Sequence, residues 1–313
     1  MNPLLKVGLT ALAAFSILTG CKSSKQAGAS VVSSEADIHS SSVPPIAQES
    51  GSSLLWEITG NELEAPSYLF GTIHLIGSDD FIFPDIWTAA LDQTSHLMLE
   101  LDMDDPGMMM KMMTGAMMDG GTSLKDLISE EDYHVVKTFF KDSLNQPIAM
   151  LGKMKPMLLS SSLYPKMING KPVTYEMVLI EKAKERDMEV TGVETIEDQL
   201  AMVDGIPMED QIEMLMTYIK EFQAEKERFD TLIDLYVAQD VDQLFAYMMD
   251  SPEMDESARE LMLDNRNQKW IPVISEQAAS MPTFFAFGAG HLAGDNGVIN
   301  LLRQAGFTVK PVR

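Results

Sequence analysis

Phe70-Gly71-Thr72-Ile73-His74-Leu75-Ile76-Gly77 and Phe287-Gly288-Ala289-Gly290-His291-Leu292-Ala293-Gly294 are two copies of one pattern, F-G-x-x-H-L-x-G, with five identities in eight positions. Each copy follows a short apolar run, Ser67-Tyr68-Leu69-Phe70 in the first and Thr283-Phe284-Phe285-Ala286-Phe287 in the second. A run of that kind predicts a β-strand, so each histidine should emerge near a strand end. The glycine allows tight turning and close backbone approach. The chain has only five histidines, and two of them stand in these copies.

Outward from the first copy, Leu54-Leu55-Trp56-Glu57-Ile58 reads as a strand that pairs with Ser67–Phe70 in a hairpin across the loop 60–66. A helix is expected after Pro84. In His96-Leu97-Met98-Leu99-Glu100-Leu101-Asp102 strand alternation puts Leu97, Leu99 and Leu101 on one face and Met98, Glu100 and Asp102 on the other. From Leu124 to Trp270 the pattern is largely helical, interrupted by one strand at Met188–Glu194 and followed by two helices within Gln211–Met249. Strand 283–288, a helix from Asn296 to Ala305 and strand Phe307-Thr308-Val309 predict a βαβ unit at the end of the chain. Strands separated by helices indicate an α/β domain.

The N-terminus reads differently. Lys6 precedes an apolar run from Val7 to Leu18, the pattern of an export leader and too short to span a bilayer. It ends in Leu18-Thr19-Gly20-Cys21, which resembles the lipobox of bacterial lipoproteins. That resemblance implies cleavage of residues 1–20, lipid on Cys21 and, with Lys22 next, the outer membrane facing the periplasm. Residues 21–53 are rich in serine and hold Pro44-Pro45 and His39, so they read as a disordered tether reaching on the order of 30 Å. The folded domain is expected over residues 54–313.

Cys21 is the only cysteine, which excludes an internal disulfide framework and cysteine-ligated zinc or iron–sulfur sites. A formal net charge of −24 opposes binding to nucleic acid or to bare anionic lipid. H-E-x-x-H, G-x-S-x-G and G-x-x-x-x-G-K-[ST] do not occur. Gly288-x-Gly290 mimics a dinucleotide-binding turn, but the acidic residue needed about 20 positions later is replaced by Lys310 and the chain end. The methionine run Met108–Met113 with Met117-Met118 offers soft thioethers suited to Cu(I). The plainer reading is a deformable apolar helix or lid.

What remains is two histidines on strand ends and a carboxylate pair on another strand. Neutral imidazole and carboxylate converging from separate elements make a divalent metal site, and His74, His291 and Glu100 suit those roles. Taken with Val193-Glu194-Thr195 and Arg266-Asn267, the two G-x-x-H motifs and the Glu100 strand resemble the TraB/GumN family, relatives of the Tiki metalloproteases. The resemblance implies one α/β domain of two sheet-and-helix halves with a large helical middle section, a Mn- or Co-type ion, with Zn as a further choice, and peptide-bond cleavage. It also implies metal binding by His74, His291 and Glu100, with Glu100 as ligand or general base and Arg266 as the second catalytic group. Asp102 and Glu194 are then additional ligands or outer partners. Bacterial members are also linked to peptide-pheromone shutdown and polysaccharide-related roles. The expected partner is a peptide or protein substrate, and the competing reading is a lipoprotein that sequesters a peptide or a haem-like ligand without turnover.

Overall fold

The computed structural model describes residues 52–251 and 254–313. The leader, Cys21 and most of the serine-rich segment lie outside the described residues. Among the described residues eight strands form: β1 (Leu55–Gly60), β2 (Ser67–Thr72), β3 (Ile76–Gly77), β4 (His96–Leu99), β5 (Pro172–Val173), β6 (Glu189–Gly192), β7 (Thr283–Gly288) and β8 (Phe307–Val312). Six of them make one sheet in the order β6-β4-β7-β2-β1-β8, and β3 pairs with β5 in a second sheet. The β1–β2 hairpin is present, with Leu55 opposite Phe70. β6, β4, β7 and β2 run parallel, so their carboxyl ends open on the same edge.

Alternation along the strands builds a core on both faces of the sheet. Tyr68, Phe70, Leu97, Leu99, Phe284 and Ala286 pack toward the helical middle section. Leu69, Met98, Phe285 and Phe287 pack with Trp270, Ile299 and Leu302 from the helices Asn265–Ser280 and Val298–Gln304. Phe70 anchors the first face, with its ring centroid 4.6 Å from that of the fully buried Trp87 on the helix Asp85–Leu91. The fold is therefore α/β, and the helical middle section lies between strands that both ends of the chain supply.

Two details differ from the sequence reading. The segment 211–249 belongs to three helices, Met208–Lys220, Phe222–Val237 and Val241–Met249, because Gln239 takes a positive φ of 58° and the Asp240 side chain accepts from the Gln243 N–H to start a new helix. At the C-terminus the strand–helix–strand order is as expected and its strands are parallel, yet β2 and β1 lie between β7 and β8. The methionine run forms the helix Pro106–Gly115, whose Asp105 N-cap accepts from Gly107 N–H. Met108 and Met112, one turn apart, are buried, whereas Met110 is 66% exposed. Among the described residues no helix is long and apolar enough to cross a membrane.

The pairing of β2 with β7 sets the two copies of the motif side by side, with Gly71 opposite Phe287 and Thr72 opposite Gly288. A Cβ on Gly71 would stand 3.1 Å from both Ala289 Cβ and Leu292 Cδ2 of the other copy. Glycine lets the second motif close over the first. Gly71→Val is accordingly expected to destabilise the fold by about 1–3 kcal/mol through overpacking, read as a lower midpoint of urea unfolding. An unchanged midpoint would show that the two motifs do not depend on this contact.

Candidate active site

The parallel strands deliver four side chains to one edge. His74 follows β2, Glu100 follows β4, Glu194 follows β6 and His291 follows β7. In open α/β sheets the crevice outside such carboxyl ends is where ligands bind. β4 and β6 stay paired past their ends, since Val193 N–H donates to Leu99 O and Glu194 N–H to Glu100 O. Gly192 permits this approach: a Cβ there would lie 2.5 Å from Asp102 N. Both carboxylates thereby face the same interior.

Glu100 is the centre of the cluster. Its Oε1 accepts from Gly288 N–H at 2.8 Å and stands 3.7 Å from His74 Nε2 and 3.9 Å from His291 Nε2. Its Oε2 accepts from Arg266 Nη2 at 2.7 Å and from Gln199 Nε2 at 3.3 Å. Arg266 also donates to both oxygens of Glu194, Nη2 to Oε1 at 2.5 Å and Nε to Oε2 at 3.2 Å. Its Nη1 lies 3.0 Å from His291 Nε2. Trp270, one turn further along the helix, stacks on the guanidinium at 4.9 Å and donates its indole N–H to Glu194 Oε2. A π turn at Glu260–Asp264 precedes Arg266 in this helix, a wide turn that is frequent at functional sites.

The two histidines are held by different partners. His74 Nδ1 donates to Glu176 Oε1 at 2.7 Å, and Thr72 Oγ1 donates to the same oxygen at 3.0 Å. His291 Nδ1 lies 2.7 Å from Asn267 Oδ1, while Asn267 Nδ2 donates to the His291 and Asn296 carbonyls. The Asn267 amide orientation makes Oδ1 the acceptor, so His291 Nδ1 carries the proton and its Nε2 lone pair meets Arg266 Nη1, whereas His74 turns Nε2 toward Glu100 Oε1. Burial alone would depress the His74 pKa, but the Glu176 charge and hydrogen bond, with Glu100, outweigh it and lift the pKa to about 9. Burial and then the Arg266 charge push His291 down to about 3. Burial would raise Glu100, yet Arg266 above all holds its carboxyl well below the usual carboxylate range.

Asp102 stands apart from these contacts. β4 ends at Leu99, so strand alternation no longer governs Asp102; burial and the adjacent Asp104 carboxylate, with which it hydrogen-bonds, raise its pKa instead. Glu176, Asn267, Gln199 and Trp270 join the cluster without having been marked as site residues by the sequence. Arg266, Asn267 and Trp270 share a helical spacing that places Arg266 and Trp270 on one face. Glu176 gives no comparable signal, because in the first turn of the helix Tyr175–Lys184 it resembles an ordinary N-terminal charge.

A family model described as the TraB/PrgY/gumN family matches residues 54–311. The chain belongs to the TraB/PrgY/gumN family. Among curated proteins it is similar to Metalloprotease TIKI1 of Homo sapiens, at 26% identity over 82% of this chain and 61% of that one. Metalloprotease TIKI2 of Danio rerio is 24% identical over 85% of this chain and 62% of that one. The chain thus spans about three fifths of the length of these relatives. No solved structure matches it.

The names of these TraB/PrgY/gumN relatives imply a divalent metal, and the cluster suits one in kind. Two imidazole Nε2 atoms, that of His74 after loss of its proton, and a carboxylate oxygen are donors that Mn, Co and Zn accept. A Cβ on Gly288 would stand 3.1 Å from Glu100 Oε1, 3.6 Å from His74 Nε2 and 3.7 Å from His291 Cδ2, so this glycine keeps open the space the donors face. As the side chains stand, no three His, Cys, Asp or Glu among the described residues are arranged to hold an ion, and Arg266 Nη1 takes the His291 Nε2 lone pair.

Opposite histidine shifts predict a pH optimum of stability for the metal-free protein. His74, with a raised pKa, stabilises the fold below about pH 6.5 and loses this as pH rises through about 9. His291, with a lowered pKa, stabilises above about pH 6.5 and loses this as pH falls toward 3, a loss that Glu100 reinforces at the acid end. Unfolding midpoints of EDTA-treated protein should therefore fall on both sides of about pH 6.5. Glu176→Gln should move the alkaline fall to lower pH; an alkaline limb identical to wild type would contradict the His74–Glu176 pairing.

Proposed function

We propose that this chain is a metal-dependent peptidase acting on extracytoplasmic peptides or protein termini. What carries the reading is the convergence of His74, His291 and Glu100 around Gly288, in a chain whose relatives are named metalloproteases. His74 and His291 would hold the ion through Nε2 and Glu100 through a carboxylate oxygen, with Mn or Co preferred and Zn also suited. When bound, such an ion polarises a carbonyl and acidifies water. Glu176 and Asn267 hold the Nδ1 protons and so orient both imidazoles. Arg266 keeps Glu100 ionised and offers a fixed positive charge to a peptide oxygen that becomes negative as its carbonyl is attacked. Glu194, Gln199 and Trp270 hold that guanidinium and the carboxylate it serves in place.

Purified protein supplied with Mn²⁺ is expected to cleave members of a peptide library. His74→Ala and His291→Ala should each lose most bound metal in elemental analysis after identical loading, and the double variant little more, because a site missing one ligand is already compromised. Stoichiometric metal in the double variant would refute a shared site. Peptide binding without cleavage would leave the sequestering lipoprotein as the better reading.

The leader pattern and Cys21 support a lipid anchor, by resemblance at the outer membrane and facing the periplasm. Several acyl chains together suffice for stable attachment. Cys21→Ser is expected to shift the protein from the membrane to the soluble fraction or to leave the uncleaved precursor. Membrane recovery with unchanged mobility would argue against the anchor.

A further inference from the structure

An apolar cleft beside the histidines has no part in holding the charged cluster. It is narrow, with a cavity volume of about 50 Å³, and it opens to solvent. The two G-x-x-H motifs make its floor, and Phe229, Leu232, Leu244, Met248 and Leu263 make its walls. These wall residues come from the helical middle section, and each exposes 5% or less of its surface. Tyr236 also reaches the cleft, but its hydroxyl donates to Gly71 O at 3.0 Å. A polar side chain lying against Phe229, Leu232, Leu244, Met248 and Leu263 would shed its water without gaining partners from those five.

The floor is asymmetric although the motif is repeated. Ile73 occupies the second x of G-x-x-H in the first copy, and Gly290 occupies the matching place in the second. A Cβ on Gly290 would stand 2.5 Å from Met248 Cε and 3.3 Å from Met248 Sδ. The thioether therefore fills the volume that a second isoleucine would take. Methionine is unbranched and adaptable, so Met248 is the wall best able to adjust the size of the cleft. Arg266 lines a second cleft, of mixed character, in which Glu194, Asp198 and Lys269 stand beside Met202 and Leu261.

We propose that the apolar cleft is a specificity pocket, which seats one leucine-, methionine- or phenylalanine-like side chain of a peptide next to the bond cleaved, with Leu232 and Met248 setting its size. The proposal rests on the peptidase reading above. Its occupant follows from the walls, which carry no charge and open directly onto His74 and His291.

Two measurements separate the pocket from the chemistry. In the first, Mn²⁺-supplied protein is assayed on peptides that differ only at the residue flanking the cleaved bond. Leucine should exceed aspartate in kcat/KM by about 100-fold, Leu232→Trp should raise KM for the leucine peptide about 10-fold, and Met248→Ala should shift preference from leucine toward phenylalanine. In the second, binding of N-acetyl-leucinamide and N-acetyl-aspartamide to metal-free wild type and Met248→Ala is followed by protein-detected NMR. Selective leucinamide binding with shifts at the cleft residues supports the pocket even if no peptide is cleaved, in which case the peptidase reading alone falls. Cleavage without apolar preference, or equal binding of the two amides, overturns the pocket while leaving the peptidase reading in place.

Discussion

Arg266 is the interaction on which the site depends. Glu100 and Glu194 reach one interior from neighbouring strands, and each is largely buried, with 8% of its side chain exposed. Two carboxylates in that position repel each other unless a cation stands between them. The guanidinium does so in a planar, bidentate geometry that lysine could not reproduce. Removing one partner from a buried ion cluster of this kind leaves uncompensated charge, typically at a cost of about 3–5 kcal/mol. The same guanidinium also reaches His291, so stability and site geometry share one residue.

That single charge breaks the symmetry of the repeated motif. His74 lies beside Glu176 and is driven toward the protonated form, whereas His291 lies beside Arg266 and is held neutral. One local sequence thus yields two imidazoles of opposite character. The difference comes from what the flanking helices bring, a carboxylate from the helix Tyr175–Lys184 and a guanidinium and amide from the helix Asn265–Ser280. Pairs of titratable groups whose surroundings push their pKa values apart mark functional sites.

The architecture divides the work between the sheet and the helices. The parallel strands fix where the donors emerge, and the rigid pairing of β2, β4, β6 and β7 leaves them little freedom to drift. The helical middle section closes over the histidines with apolar side chains. Variation in those helices can alter what reaches the cluster without altering the strand ends that build it. Membership of the TraB/PrgY/gumN family rests on a match that extends across both sheet and helices, over residues 54–311.

The sequence by itself determined the α/β class, the β1–β2 hairpin, the strands β2, β4 and β7 and the repeated histidine motif, because each of these follows from periodicity within a few residues. It also marked His74, Glu100, Glu194, Arg266 and His291, all of which stand in motifs at strand ends or on a helix start. It could not place Glu176 under His74 or Asn267 under His291, since hydrogen bonds spanning 102 and 24 positions leave no local pattern. Asp102 was misplaced for the converse reason: alternation holds only while the strand lasts, and β4 ends at Leu99. The opposite protonation of the two histidines, the guanidinium between the carboxylates and the apolar cleft were decided by tertiary structure alone. Charge, burial and empty space at a site are sums over neighbours that only folding brings together.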